Sequence, residues 1–189
     1  MTDGNGRRSP LIAPPQAALV LDFVNTKADG GHDERLGDAA DLERWLAGAG
    51  LIEPGTVVTA ADAAAARELR DAVVTVLLAH SGEAGAELPA AESHLRRAAA
   101  LHPLIPVISA GGLALVSGQA GVPAAFGSIL AAVADIAATD RWGRLKACRN
   151  PPCHFGFFDR TRNGSATYCS PGCGSQVSMR ALRRRRQSG

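Results

Sequence analysis

Apolar residues recur at helical spacing in five stretches of the first three quarters of the chain. The first covers 16–24 and follows two prolines; a buried strand would read almost the same there, but helix is favoured. Asp38 and Thr59 are N-cap residues that begin the second and third helices. Pro89 and Pro123 open the last two. The pattern therefore predicts a mainly helical region up to about residue 140.

The third helix has an apolar and a polar side. Its apolar side includes Leu69 and Val73, and the opposite side is expected to expose Arg67, Arg70 and Asp71. His80 stands at the end of the apolar side. We interpret it as a packing or capping residue, because no other histidine or cysteine lies at ligand spacing from it.

A short β-hairpin is predicted between the last two of these helices. Residues 107–110 and 113–116 are largely apolar runs on either side of Gly111-Gly112. Glycine accepts the positive φ angles that a tight turn requires, so the segment predicts two antiparallel strands. A phosphate-binding loop is the alternative, but the segment has no lysine and no GxxxxGK[ST] motif.

Beyond residue 140 the pattern changes to short apolar runs separated by turns. Residues 155–158 and 166–168 are expected to pair as a second hairpin across Asn163-Gly164, a strong turn signal. Ser170-Pro171 is a typical cap and first residue of a helix, which would continue into the arginine-rich C-terminal end.

Length and composition set outer bounds on the protein. The chain of 189 residues can form one medium domain and a small one, and its 46% hydrophobic and 4% aromatic content favours a lightly built helical core. It has no run of about 18 apolar residues, so no membrane span is expected. Residues 1–12 lack the apolar centre of a signal peptide and predict a disordered tail. A cytoplasmic protein is expected.

The only four cysteines lie near the C-terminal end, as Cys148-x4-Cys153 and Cys169-x3-Cys173. Two short loops that each offer two thiolates are the usual ligand set of a tetrahedral zinc site. His154 is an alternative ligand, and two disulfides are an alternative to metal, although cytosolic thiols stay reduced. Four thiolates leave no open position for water. The spacing therefore predicts one structural Zn²⁺ and no catalytic metal.

The cysteine segment resembles the CGNR zinc finger. That family has two cysteine pairs around an F-x-D-x-[ST] segment, which is Phe-Phe-Asp-Arg-Thr at 157–161 here. The Asn-Arg that follows Cys-Gly in the family is replaced by Ser175-Gln176. With a knuckle, a hairpin and a helix around one zinc, the predicted fold class is α+β and mainly helical. An N-terminal helical domain with a small β-hairpin (13–140) precedes a treble-clef-like zinc finger (141–189).

The N-terminal region resembles the ABATE domain, which precedes the CGNR finger in its family. The sequences at 21–26 and 41–46 carry this resemblance, which implies a stress-induced regulator of transcription. Three polar side chains flank the apolar stripe of the first helix. They are interpreted either as a polar helix edge or as a binding site for a small-molecule effector: Asp22, Asn25 and Thr26.

Charge is divided unevenly along the chain. Residues 1–140 hold 9 Lys and Arg against 17 Asp and Glu, whereas residues 141–189 hold 11 against one acid, Asp159. A basic end on an acidic body favours an anionic partner for that end alone. A solvated, partly frayed C-terminus is the alternative. The candidate DNA-binding residues are Arg160, Arg162, Arg180, Arg183, Arg184, Arg185 and Arg186.

Three classes of function are compatible with these features. The first is a zinc-binding transcription regulator that contacts DNA through the finger, and the second is a zinc-stabilised protein-interaction module. An enzyme is disfavoured, because no Ser–His–Asp set, carboxylate pair or cofactor loop stands out. The sequence does not indicate the oligomeric state, the DNA target or the effector.

Overall fold

The computed structural model describes residues 12–28 and 33–187, which form six α-helices and four strands. The tail predicted over 1–12 lies, except for Ile12, outside these residues. The helices within residues 12–28 and 33–187 are each too short or too polar to span a bilayer. In chain order the elements are α1 (Pro15–Val24), α2 (Ala39–Gly48), α3 (Ala60–His80), α4 (Leu88–Leu101), β1 (Leu104–Ser109), β2 (Gly112–Ser117), α5 (Gly121–Ala137), a 3-10 turn (Trp142–Arg144), β3 (Leu145–Ala147), β4 (Gly156–Phe158) and α6 (Pro171–Gln187).

The predicted starts of α2 and α3 are confirmed by their capping contacts, whereas α5 begins at Gly121, two residues before the predicted Pro123. The Asp38 carboxylate accepts a hydrogen bond from the Asp41 amide at 2.9 Å. Thr59 and Asp62 form a reciprocal capping box at the start of α3. Gly50, just after α2, has φ +70°, the left-handed conformation in which glycine commonly ends a helix.

The predicted hairpin between α4 and α5 is also confirmed and is longer than expected. β1 and β2 pair antiparallel, from Leu104 opposite Ser117 to Ser109 opposite Gly112. Gly112 has φ +126°, which glycine adopts without a steric penalty.

The main apolar core lies between α1, α2, α3 and α5. Phe23 of α1 packs against Trp45 of α2 with 5.4 Å between ring centroids. Both are buried among apolar side chains of α2, α3 and α5: Leu42, Leu46, Ala66, Leu69, Ala125, Phe126, Ile129 and Leu130. This packing holds α1 in the centre of the helical region.

The expected exposure of Arg70 is wrong. Only 2% of its surface is accessible, and its guanidinium lies 2.5 Å from the Glu34 carboxylate and 3.2 Å from that of Asp71. The segment after residue 33 folds back over α3, where Arg67 donates to the Leu36 carbonyl at 2.6 Å. A long-range contact of this kind covers the helix side that periodicity alone assigns to solvent.

The expected pairing of the second hairpin is also wrong. β4 pairs antiparallel with β3, from Leu145 opposite Phe158 to Ala147 opposite Gly156, and not with residues 166–168. All three residues of β3 are buried, and this strand is the pairing partner of β4. Residues 166–168 contact the segment that follows β3 in another way. The Arg149 amide donates a hydrogen bond to the Thr167 carbonyl at 3.0 Å.

The strands of the cysteine region share a core with the helices. Side chains of β3 and β4 are buried in one cluster with residues of α1, α3 and α5: Val20, Val24, Val73, Leu77, Ile136, Leu145, Ala147 and Phe158. Two residues from the end of α3 reach the same strand. His80 Nδ1 lies 2.8 Å from the Leu145 carbonyl, and Ser81 donates to the Ala147 carbonyl at 2.7 Å. The packing role predicted for His80 is confirmed.

Candidate metal centre and nucleic-acid interface

The structure brings the four cysteine sulfurs together at the junction of β3, β4 and α6. All four Sγ atoms lie within 4.8 Å of one another, with 3.6 Å between Cys153 and Cys169 and 3.7 Å between Cys169 and Cys173. Zn–S bonds of about 2.3 Å in a tetrahedron give sulfur–sulfur edges of about 3.8 Å. A disulfide requires about 2.05 Å, and all four cysteines are free. The geometry is that of a metal ligand set.

Local turns position these sulfurs. The loop between Cys148 and Cys153 closes with hydrogen bonds from the Cys153 and His154 amides to the Asn150 carbonyl, at 2.8 and 3.2 Å. His154 has φ 49° and its Nδ1 is buried without a hydrogen-bond partner, but it does not belong to the cluster. At the other pair, the Cys173 amide donates to the Ser170 hydroxyl at 3.3 Å, which confirms the predicted helix cap.

The surroundings act differently on the individual thiols. Burial raises the pKa of Cys153 to about 11 and also raises that of Cys169. A hydrogen bond with the Asn150 side chain lowers the pKa of Cys173 to about 7. The protein groups alone therefore do not hold all the sulfurs as thiolates at neutral pH. A divalent cation bound by the four sulfurs would supply the positive charge that favours their thiolate forms.

A buried ion pair organises the loop that follows β4. Lys146 and Asp159 are 3% and 1% exposed, with 2.8 Å between Nζ and Oδ2. Lys146 also donates to the carbonyls of Gly164 and Ala166, and Asp159 accepts from the Thr161 and Ala166 amides. Burial alone raises the pKa of Asp159, but its hydrogen bonds outweigh this and bring the pKa to about 2. The Asp and Thr of the F-x-D-x-[ST] segment thus fix the loop.

Sequence reasoning missed Lys146 and Arg144, which are both structural. The signal for Lys146 was a single lysine between Leu145 and Ala147 in an apolar strand. Arg144 donates to the Asp159 and Thr161 carbonyls at 3.1 and 2.7 Å. Some of the positive charge in this region therefore binds the finger's own backbone and is not free for an anionic partner.

One of the two altered signature residues, Gln176, contacts the cysteine loop. Asn150, which is 1% exposed, donates to the Gln176 side chain at 2.9 Å. Arg180 donates to the other side of the same amide, at Oδ1. Gln176 and Arg180 lie one helical turn apart on α6, so both brace the loop against the helix. Arg180 is half-buried by this contact.

The other candidate DNA-binding arginines lie on the surface. Arg160 and Arg162 are exposed on the loop after β4, and residues 183–186 are exposed on the last turns of α6. A groove of about 480 Å³ runs between α6 and the cysteine loop. Arg149 borders it and lies 3.4 Å from Glu83 of the helical region. Its other lining residues are Pro151, Tyr168, Val177, Arg180, Arg183 and Arg184.

The three candidate ligand-binding residues at the end of α1 each form hydrogen bonds with a different part of the protein. Asp22 accepts a hydrogen bond from Trp45 Nε1 at 2.9 Å. Asn25 makes two hydrogen bonds with the Gly156 backbone, at 2.7 and 3.1 Å. The hydroxyl of buried Thr26 donates to the Phe23 carbonyl at 2.7 Å. A ligand role for this set stays a prediction.

Family models match both regions of the chain. The model of ABATE, described as "Putative stress-induced transcription regulator", matches residues 17–140. The chain belongs to the ABATE family. The CGNR zinc finger model matches residues 144–186, so the ABATE domain precedes a CGNR finger, as the resemblance implied. No curated protein matches this chain.

Proposed function

We propose that this ABATE protein is a zinc-dependent transcription regulator that contacts DNA phosphates through its CGNR finger. The observation that carries the proposal is the separation of charge, with a balance of −8 over residues 1–140 and +10 over residues 141–189. Six of the seven candidate arginines are exposed in the finger. Such a surface attracts a polyanion, whereas the acidic helical region repels it.

Zinc is the first part of the proposal. We propose one structural Zn²⁺ per chain, held by Cys148, Cys153, Cys169 and Cys173. Four protein ligands would complete its coordination and leave no position for a reacting water, so we propose no catalytic role for the metal. Metal analysis of protein purified under reducing conditions should find about one zinc per chain. A metal-free preparation with two disulfides would contradict this part.

Phosphate contacts are the second part. If about four to six arginines reach phosphates, log Kd should change with log salt concentration with a slope of roughly 4 to 5 in magnitude on duplex DNA. The groove beside α6 supports the lower end of this number, because four arginines line it: Arg149, Arg180, Arg183 and Arg184. Binding should be similar for unrelated duplexes, since phosphate contacts carry no sequence information.

The test combines a variant of α6 with a matched control. Replacing the four arginines at 183–186 by alanine should weaken binding and flatten the salt slope by up to about 4 units. The control replaces Arg96 and Arg97, two exposed arginines of α4, and should leave the slope unchanged. No binding of zinc-loaded protein to DNA at low salt would contradict the proposal.

A protein-interaction module is the second candidate, because the finger already contacts an acidic group of the ABATE domain. Arg149 pairs with Glu83 across the groove, with 41% and 45% of their side chains exposed. Under the DNA proposal, Glu83→Gln should strengthen DNA binding about two- to five-fold by removing a competing carboxylate. Under the alternative, neither protein binds DNA at low salt.

Ligand sensing by the ABATE domain is the remaining part. Asp22 adjoins a cavity of about 200 Å³ through its contacts with Trp45 and Arg35, and Arg44 lines the same cavity. Two arginines there can bind a small anionic effector in competition with the Glu34 and Asp41 carboxylates that line the same cavity. Thermal unfolding with and without small carboxylates and phosphates tests this idea. A stabilisation that Arg44→Ala abolishes would support it, and the same stabilisation in Arg44→Ala would contradict it.

The proposed site also bears on where the protein works. Free thiolates persist in a reducing compartment, and disulfides form in an oxidising one. A four-cysteine zinc site together with DNA as the partner supports the expected cytoplasmic location.

A further inference from the structure

The hairpin formed by β1 and β2 exposes an unusual amount of apolar side chain. Five large aliphatic residues of this hairpin are between 41% and 84% exposed. Soluble monomers rarely expose large contiguous apolar patches, and such patches commonly mark interaction sites. We call these five residues the hairpin surface: Ile105, Val107, Ile108, Leu113 and Val116.

One side of the hairpin is free of α5. Opposed residues of an antiparallel pair point to the same side of the sheet, and Ile105 lies opposite Val116. The other side contains Leu104 and Ser117, which pack against Gly127 of α5: a Cβ added there would lie 2.8 Å from the Ser117 side chain. Ile105, Val107 and Val116 therefore face away from the helical core, whereas Ile108 and Leu113 lie on the α5 side near the turn and are 84% and 67% exposed.

The edges of this sheet are also unpaired in residues 12–28 and 33–187, where the sheet consists of β1 and β2 alone. Proteins usually protect such edges with charged side chains or proline. β1 contains Pro106, which has no amide hydrogen to donate. β2 contains neither proline nor charge, so β2 is the better strand for further pairing.

Charge narrows the choice of occupant. The chain has no Asp, Glu, Lys or Arg between residues 98 and 134, a stretch that includes the whole hairpin. A strongly acidic or basic partner would find no complementary charge here. Residues 1–140 carry a balance of −8, so two copies repel each other over most of this region and least at the hairpin. A second copy of the chain fits these conditions.

We propose that the β2 edge of the hairpin is a homodimer interface, in which β2 of one copy pairs antiparallel with β2 of another about a two-fold axis, with exposed Leu113 and Val116 at the contact. Such a contact is self-complementary, because the same residues appear on both sides of it. The hairpin covers residues 104–117, fewer than the roughly 20–30 residues per side of a standard interface. We therefore expect a reversible dimer with a dissociation constant in the micromolar range.

Sedimentation analysis of the full-length, zinc-loaded protein tests the proposal. Over a range from about 1 to about 200 μM, the average mass should rise from 19.5 kDa towards twice that value. Leu113→Lys with Val116→Lys places two positive charges on β2 of each copy and should raise the dissociation constant about 100-fold or more. Both positions are partly or largely exposed, so the monomer fold should tolerate the change.

A matched variant and a second measurement complete the test. Val57→Glu alters another exposed aliphatic residue, 84% accessible and outside the hairpin, and should leave dimerisation unchanged. Amide hydrogen exchange of the wild-type protein should show protection of residues 112–117 only at high concentration. A protein that is monomeric throughout, or a dimer unaffected by the lysine substitutions, would overturn the proposal. Neither sedimentation nor hydrogen exchange requires DNA, so the outcome of this test is independent of the proposed function.

Discussion

The ABATE domain and the CGNR finger are stabilised in different ways. The helices of the ABATE domain bury a continuous set of aliphatic and aromatic side chains. In the finger, the apolar burial is confined to β3, Cys148 and Phe158, and between residues 159 and 187 Asp159 is the one residue that is fully buried. Hydrophobic burial thus accounts for the stability of the ABATE domain. The stability of residues 159–187 of the finger depends instead on the metal ligand set and a polar network.

The two regions nevertheless meet in one core. Val24 of α1, Val73 of α3 and Phe158 of β4 belong to the same buried cluster. The boundary between the two family matches, near residues 140–144, is therefore not a boundary in packing. We therefore predict that β3 and β4, the inner half of the finger, unfold together with the ABATE domain. Residues 159–187, the outer half, should unfold when the metal is removed.

Removing the metal should have the largest effect. Cys153→Ser, or chelation of the wild-type protein, should abolish protection from hydrogen exchange over residues 159–187. Structural zinc contributes about 10–16 kcal/mol in small metal-dependent modules. β3 and β4 should keep their protection, because they pack on α1 and α3. Loss of protection in α3, or unchanged protection in α6, would contradict the proposed difference between the two halves of the finger. Adding zinc back to the chelated protein should restore the protection of residues 159–187.

Asp159→Ala should be the most damaging substitution outside the cysteines. It leaves Lys146 buried without its carboxylate, and breaking a buried ion pair costs about 3–5 kcal/mol. Chemical denaturation of the zinc-loaded protein measures this loss. Asp140→Ala, at an exposed position of the same residue type, is the control and should change the free energy of unfolding by less than about 0.5 kcal/mol.

Glu34→Gln tests the corresponding pair in the ABATE domain, where a smaller and pH-dependent effect is expected. Arg70 is 2% exposed but the Glu34 side chain is 29% exposed, so the loss at pH 7 should be about 1–3 kcal/mol.

The pH dependence of this loss follows from the direction of the pKa shift. Burial alone raises the pKa of Glu34, but its hydrogen bonds with Arg70 and the Leu36 amide outweigh this and hold the pKa below 4.5. A lowered folded-state pKa stabilises the fold above the unfolded-state value, and this contribution disappears as the pH falls through the folded-state value. The difference between wild type and variant should therefore narrow below pH 4.5. A difference that stays constant down to pH 3 would contradict the ion-pair explanation.

Gly156→Ala should have an effect on stability of the same order as Glu34→Gln and tests the shared core directly. A Cβ at this position would overlap the Val24 side chain of α1 and lie 3.2 Å from that of Leu21. Overpacking of this kind costs about 1–3 kcal/mol. Gly143→Ala is the matched control, because nothing lies within 4 Å of its added Cβ. Equal effects of the two substitutions would contradict a tight contact between the finger and α1.

The sequence by itself determined the features that depend on neighbouring residues. Asp38, Thr59 and Ser170 begin helices because their side-chain oxygens bind amides three residues away. Periodicity over ten or more residues identified the helices of the ABATE domain. The cysteine spacing identified the metal ligand set, because two short loops can converge on one ion whatever lies between them.

Tertiary structure alone decided which elements meet. β4 has two neighbouring segments of similar propensity, and it pairs with β3 because α3 and α1 bury that strand. Arg70 is buried because the segment after residue 33 covers α3. Asn25 ends α1 and also binds Gly156, 131 residues further along the chain. Contacts at such separations depend on how whole elements pack, and no local pattern of residue types encodes them.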